Sequence, residues 1–237
     1  MAKTFGISGV DGNAKAPSAL RGLKLSPLVW IFVPVIFLLA AARIQTYVPL
    51  GNLTRDPLVV ADAPFYTGIF SNFGVLFWCA GGAIALFSAA VCRARPDSQE
   101  LGRFFLASGV LTLVLMFDDL FQLHEGFLPY HVGISEEIVY LGYAIAFSWY
   151  LFRFRKTLKK TPFGYLGLAF LLLGIAPIFD KEILPLPASW LTNEGIFLFE
   201  DGFKLLGVVA WFIYFAVSGS QALIGDRPAP EPEAKQP

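Results

Sequence analysis

Apolar residues gather into six runs, near residues 27–43, 69–92, 102–127, 136–153, 163–179 and 193–218, with most of the charge held between or at the ends of them. Each run is close to the roughly 20 residues a helix needs to cross a bilayer. The pattern predicts an all-α fold: a polytopic membrane helical bundle of six transmembrane helices. Residues 1–26 read as an N-terminal tail and 27–218 as the transmembrane domain. Residues 219–237, which include the proline-rich stretch 227–232, read as a disordered C-terminal tail.

Composition agrees with that class. Hydrophobic residues make up 56% of the 237 positions, charged residues only 15%, and the mean hydropathy is +0.61. The two cysteines, Cys79 and Cys92, fall in one predicted helix, about 20 Å apart and too far for a mutual disulfide.

A formal net charge of zero hides a strong asymmetry. Fourteen lysines and arginines precede the first run, lie in the 2–3 and 4–5 connections or follow the sixth run, against three (Arg43, Arg55 and Lys181) on the other side. That bias puts both termini in the cytoplasm. The first run ends in Ala40-Ala41-Ala42, somewhat like a signal peptide, but its long N-terminal extension, Trp30 and Pro34 suit a retained span. The expected location is the inner membrane of a bacterium.

In this orientation twelve of the eighteen acids face the outside or the outer half of the spans. Asp118, Asp119, Glu125, Glu136, Glu137, Asp180, Glu182, Glu194, Glu200 and Asp201 all cluster at one end of the last four runs. A charge near hydrocarbon costs about 3 kcal/mol unless it is paired, protonated or metal-bound, so intramembrane acids mark function. Ser135 suits a cap for the fourth helix, with Glu136 and Glu137 in its first turn. Asp118, Asp119, Glu200 and Asp201 have apolar sequence on both sides and resist that plain explanation.

On a continuous third helix Asp118, Gln122 and Glu125 share a face, whereas His124 lies about 240° from Asp118. His124 joins Asp118 only if the helix ends or bends first. The stretch 117–123 is echoed by 199–205, where Glu200 and Lys204 stand in the favoured i,i+4 order for an ion pair. One lysine facing four or five carboxylates leaves charge to be met by protons or a cation. The expected site is therefore a divalent metal held by Asp118, His124, Glu125, Glu200 and Asp201. Asp119 and Glu125 would act as acid and base, and Lys204 would stabilise developing negative charge. His131, in a short outer loop, reads as an exposed interfacial residue.

Three functions fit this pattern. The first is a metal-dependent enzyme on a lipid-like or small periplasmic substrate. The second is a cation or proton transporter, which needs a polar path through the inner half. The third is a non-catalytic subunit of a larger membrane complex. The chain has no phosphate-binding glycine loop, no placeable Ser/His/Asp set and no basic aromatic patch for nucleic acid. Its expected surroundings are the lipid bilayer and, in the third case, a membrane-complex partner.

Overall fold

The computed structural model describes residues 25–180 and 193–224, and every element in it is helical. The first helix, α1, spans Leu25–Ile44 with Pro34 inside it. Short helices α2 (Leu50–Thr54) and α3 (Pro57–Val60) follow. Asp56 starts α3: its Oδ1 accepts the N–H of Leu58 at 2.8 Å and of Val59 at 3.3 Å, and Pro57 supplies a ready-set first helical residue. These helices form one compact unit ending at Thr67, and a second begins at Gly68.

The second unit holds the long helices α4 (Ile69–Arg93), α5 (Gln99–Phe121), α6 (Glu136–Leu158), α7 (Gly164–Asp180) and α8 (Asn193–Ile224). Gly68, at φ +67°, turns the chain into α4. A 3₁₀ turn, Pro96–Ser98, closes the α4–α5 hairpin. Helix α4 packs along both α5 and α8, and α8 packs along α7. Glycines allow these close approaches: a Cβ on Gly109 would lie 2.6 Å from Leu86 Cδ2, and one on Gly207 would lie 2.7 Å from Leu173 Cγ. Among the described residues two helices, Ile69–Arg93 and Pro96–Phe121, are long and apolar enough to cross a membrane. Phe32–Ile44 and Gly164–Ile178 are shorter apolar helices.

The core reaches up to the acidic residues, because Trp78, Phe147 and Phe170 both pack in it and line their cavity. Trp211 is fully buried and donates from Nε1 to Thr112 Oγ1 at 2.9 Å. Around it stand Trp78, Phe147, Phe170 and Phe215, all with ring centroids 5.5–6.1 Å away. Helix α6 meets α5 at Phe104, whose ring neighbours Tyr150 and Phe154, and Tyr150 shares a 2.7 Å hydrogen bond with Ser108.

Two boundaries differ from those expected. The third helix ends at Phe121, not near residue 127, because Gln122 adopts the left-handed conformation (φ 49°, ψ 47°) and its N–H closes on Asp118 O. The last helix continues to Ile224, so residues 219–224 are helical and do not belong to a disordered tail. Residues 1–24 and 225–237, with most of the expected tails, lie outside the described residues, as do Lys181 and Glu182.

Candidate functional site

The break at Gln122 builds the site. Beyond it, Leu123–Val132 winds as a wider π-type helix, a form frequent at functional positions, and ends at Gly133 with φ +79°. The reversal brings His124 over the end of α5, meeting the condition under which it shares a site with Asp118. Asp118 Oδ1 accepts the backbone N–H of His124 at 3.0 Å, and Oδ2 lies 2.6 Å from its Nδ1. The ring's other nitrogen, Nε2, lies 3.1 Å from Glu125 Oε1. Tyr140 packs 5.5 Å from the imidazole, and the Tyr143 hydroxyl is within hydrogen-bonding reach of Asp118.

Burial separates the roles. Asp118 is 5% exposed and His124 8%, whereas the Glu125 side chain is half exposed. Carboxylate oxygens stand at both ring nitrogens, although Nδ1 makes no aligned hydrogen bond in the described structure. Asp118 fixes the ring's orientation, and Glu125 connects it with water.

Asp119, the next residue on α5, turns to another neighbour. Its Oδ1 contacts Lys204 Nζ on α8, an ion pair between helices where the sequence suggested one within α8. Its Oδ2 is buried with no hydrogen-bond partner in the described structure, close to where a side chain at Gly74 would stand. Lys204 thus bridges α8 and α5 at the edge of the site.

A cavity of about 300 Å³ joins these groups. Asp118, Asp119, His124, Glu125, Glu200 and Lys204 line it. Trp78, Leu115, Phe147, Phe170 and Leu173 line it too, with Tyr140, Tyr143, Gly174, Ala176 and Pro177. Asp201 is exposed and lies on a separate, water-sized space with Asp119 and Lys204. Glu136 and Glu137 occupy the first turn of α6 as expected, but the Ser135 side chain makes no capping hydrogen bond. The side chains of Asp180 and Glu194 are outside the described set.

Of the five expected ligands, Asp118, His124, Glu125 and Glu200 border one cavity. Asp118 and Glu125 sit on opposite edges of His124 and Asp201 faces outward. Among the described residues no three His, Cys, Asp or Glu side chains are grouped to hold a metal ion.

Residues 28–218 match a family described as a domain of unknown function, DUF8692. The chain belongs to this family. The DUF8692 match takes in every residue named at the cavity, from Trp78 to Lys204. No curated protein and no solved structure matches the chain.

Trp78, Tyr140 and Tyr143 join the charged residues at the cavity. Tyr140 and Tyr143 stand three apart on α6, a spacing that places both on the face turned to the site. Trp78 carries no such signal in the sequence.

Proposed function

We propose that this is an integral membrane protein of six spans, both termini cytoplasmic, that binds a lipid-like or small amphiphilic substrate in its outward-facing cavity and performs acid–base chemistry on it. The observation that carries this reading is the mixed lining of one cavity, which brings charged groups together with aromatic and aliphatic side chains. In this scheme His124 Nε2 takes or gives the proton, Asp118 holds the ring from behind, and half-exposed Glu125 passes the proton to solvent. Nothing in the scheme requires a metal.

The inner half favours an enzyme over a transporter. Two of its buried hydroxyls donate back into helix carbonyls, Ser108 to Phe104 O at 2.7 Å and Thr112 to Ser108 O at 2.8 Å, while those of Ser88 and Ser218 have no hydrogen-bond partner in the described structure. Groups committed to backbone oxygens form a helix lock, not a path for ions.

Gly174 borders the cavity, and an added Cβ there meets nothing within 4 Å, so a larger side chain would fill the cavity without a clash. Wild-type protein purified in mild detergent should carry about one amphiphile per chain by lipid mass spectrometry, on the view that a mostly apolar pocket holds its ligand through purification. Gly174→Leu should carry far less at equal folding. Equal retention would contradict the reading.

A further inference from the structure

We infer that the apolar chain of the amphiphile lies outside the charged cavity, in the cleft between α5 and α6, and that Ala146 and Trp149 set how long a chain the site takes. This rests on the amphiphile reading of the cavity and adds the seat of the chain and the residues that measure it.

Size puts the chain outside. At about 300 Å³ the cavity is at the small end of the roughly 300–1,000 Å³ usual for ligand pockets, the share of about ten waters. A head group and its first carbons fill that space, so a long chain has to leave it. The neighbouring space suits the chain. An open, almost wholly apolar cleft of about 700 Å³ runs between α5 and α6, walled by Leu106, Val110 and Val114 on one side and by Val139, Ala146 and Trp149 on the other. Tyr143 borders both spaces, with its hydroxyl within reach of Asp118. Val114 stands one turn from Asp118 on α5, and Val139 one turn from Tyr143 on α6, so both walls reach the level of the cavity.

Depth and shape fit one chain. From Leu106 to Val114 the wall runs about 12 Å along α5, most of the roughly 15 Å of hydrocarbon in one leaflet. The cleft runs inward from the acids, the direction a chain of the outer leaflet takes when its head is at the outer face. Beside Tyr143 it is open: a Cβ on Gly142 would meet nothing within 4 Å. At its inner end, next to Arg103 and Trp149, α5 and α6 meet where Phe104 stacks on Tyr150 with ring centroids 5.9 Å apart. A cleft that joins the cavity at one end and is stopped at the other grades chains by length. A helix packed over it would fill the same space without doing so.

The test incubates full-length protein in mild detergent with a polar lipid extract of mixed chain lengths, repurifies it, and profiles the retained amphiphiles against the extract by mass spectrometry. Wild type should retain a narrow band of chain lengths. Ala146→Phe blocks the cleft partway and should cut retention of the longest species in that band by about tenfold, the low end for a misfitted methylene in a hydrophobic pocket. Trp149→Ala opens the inner end and should admit longer chains. Two folded variants that shift the band in opposite directions separate a measured chain from general loss of structure. Arg103→Gln, on the polar rim of the inner end, should change neither band nor amount. An unselected profile in wild type, or the wild-type band in either Ala146→Phe or Trp149→Ala, overturns the inference and leaves the cavity reading standing. So does loss in both variants without regard to length. Loss in Arg103→Gln marks a lipid anchored from the opposite face, and cross-linking of Val110→Cys to a second copy marks an interface between chains; either overturns the inference. If wild type retains no more amphiphile than Gly174→Leu, both readings fall.

Discussion

Lys204→Met should lower the stability of the bundle by about 3 kcal/mol, because it strands a buried carboxylate. The Asp119 side chain is 8% exposed and its second oxygen has no hydrogen-bond partner in the described structure, so Lys204 is its main compensation. Lys204 itself is about a third exposed, and partial access to water keeps the effect near the low end for a broken buried pair. Asp119→Leu should cost less, since the long lysine side chain can then reach toward the outer face. The double variant, with neither charge, should recover much of the loss. Unfolding in graded SDS, read by tryptophan fluorescence for all four proteins, gives the coupling between the two residues. Additive losses would mean that the ion pair does not tie α5 to α8.

Trp211→Ala should destabilise by about 3 kcal/mol, the lower end for removal of a buried tryptophan. In a bilayer the transfer term is small, because lipid tails are as apolar as the protein interior, and lost packing does the damage. Trp211 is fully buried, and it touches Trp78, Phe147 and Phe170, three walls of the charged cavity. The truncation should therefore also disturb ligand retention, with no charged group altered. Trp211→Phe keeps most of the ring packing and loses the Nε1 bond to Thr112, so about 1 kcal/mol is expected for it. Thermal unfolding in one detergent separates the two variants. A Phe variant as unstable as the Ala variant would place the energy in the hydrogen bond, not the packing.

The helices were legible because each is a long apolar run with charge at its ends, and the expected 69–92 and 163–179 fall within two residues of α4 and α7. The all-α class follows from the same pattern. The site was legible only in part. Asp118, Asp119, His124, Glu125, Glu200 and Lys204 stood out as charge beside hydrocarbon, and all of them border one cavity. Their partners did not stand out, because helix periodicity assumes a helix that continues. Gln122 is the case in point: one residue at positive φ ends α5 and swings His124 through the angle that had separated it from Asp118. Nothing at Gln122 announces that turn, since glycine and asparagine are its usual occupants. The Lys204–Asp119 pair was hidden for a different reason. Which helices become neighbours depends on small residues such as Gly81, whose Cβ would stand 3.7 Å from the backbone of Phe212, and their pairing is not written in local sequence.

The central claim is that His124, held by Asp118 and facing Glu125, performs acid–base chemistry on an amphiphile. Its most direct test is conversion of lipid by purified protein. Wild type and His124→Gln, both shown to be folded, are incubated with a polar lipid extract, and the extract is profiled by mass spectrometry. Wild type should deplete one amphiphile and accumulate one product. His124→Gln should do so at least about a hundredfold more slowly, the usual worth of a general acid or base. Equal conversion by the two proteins, or none by folded wild type, would contradict the account.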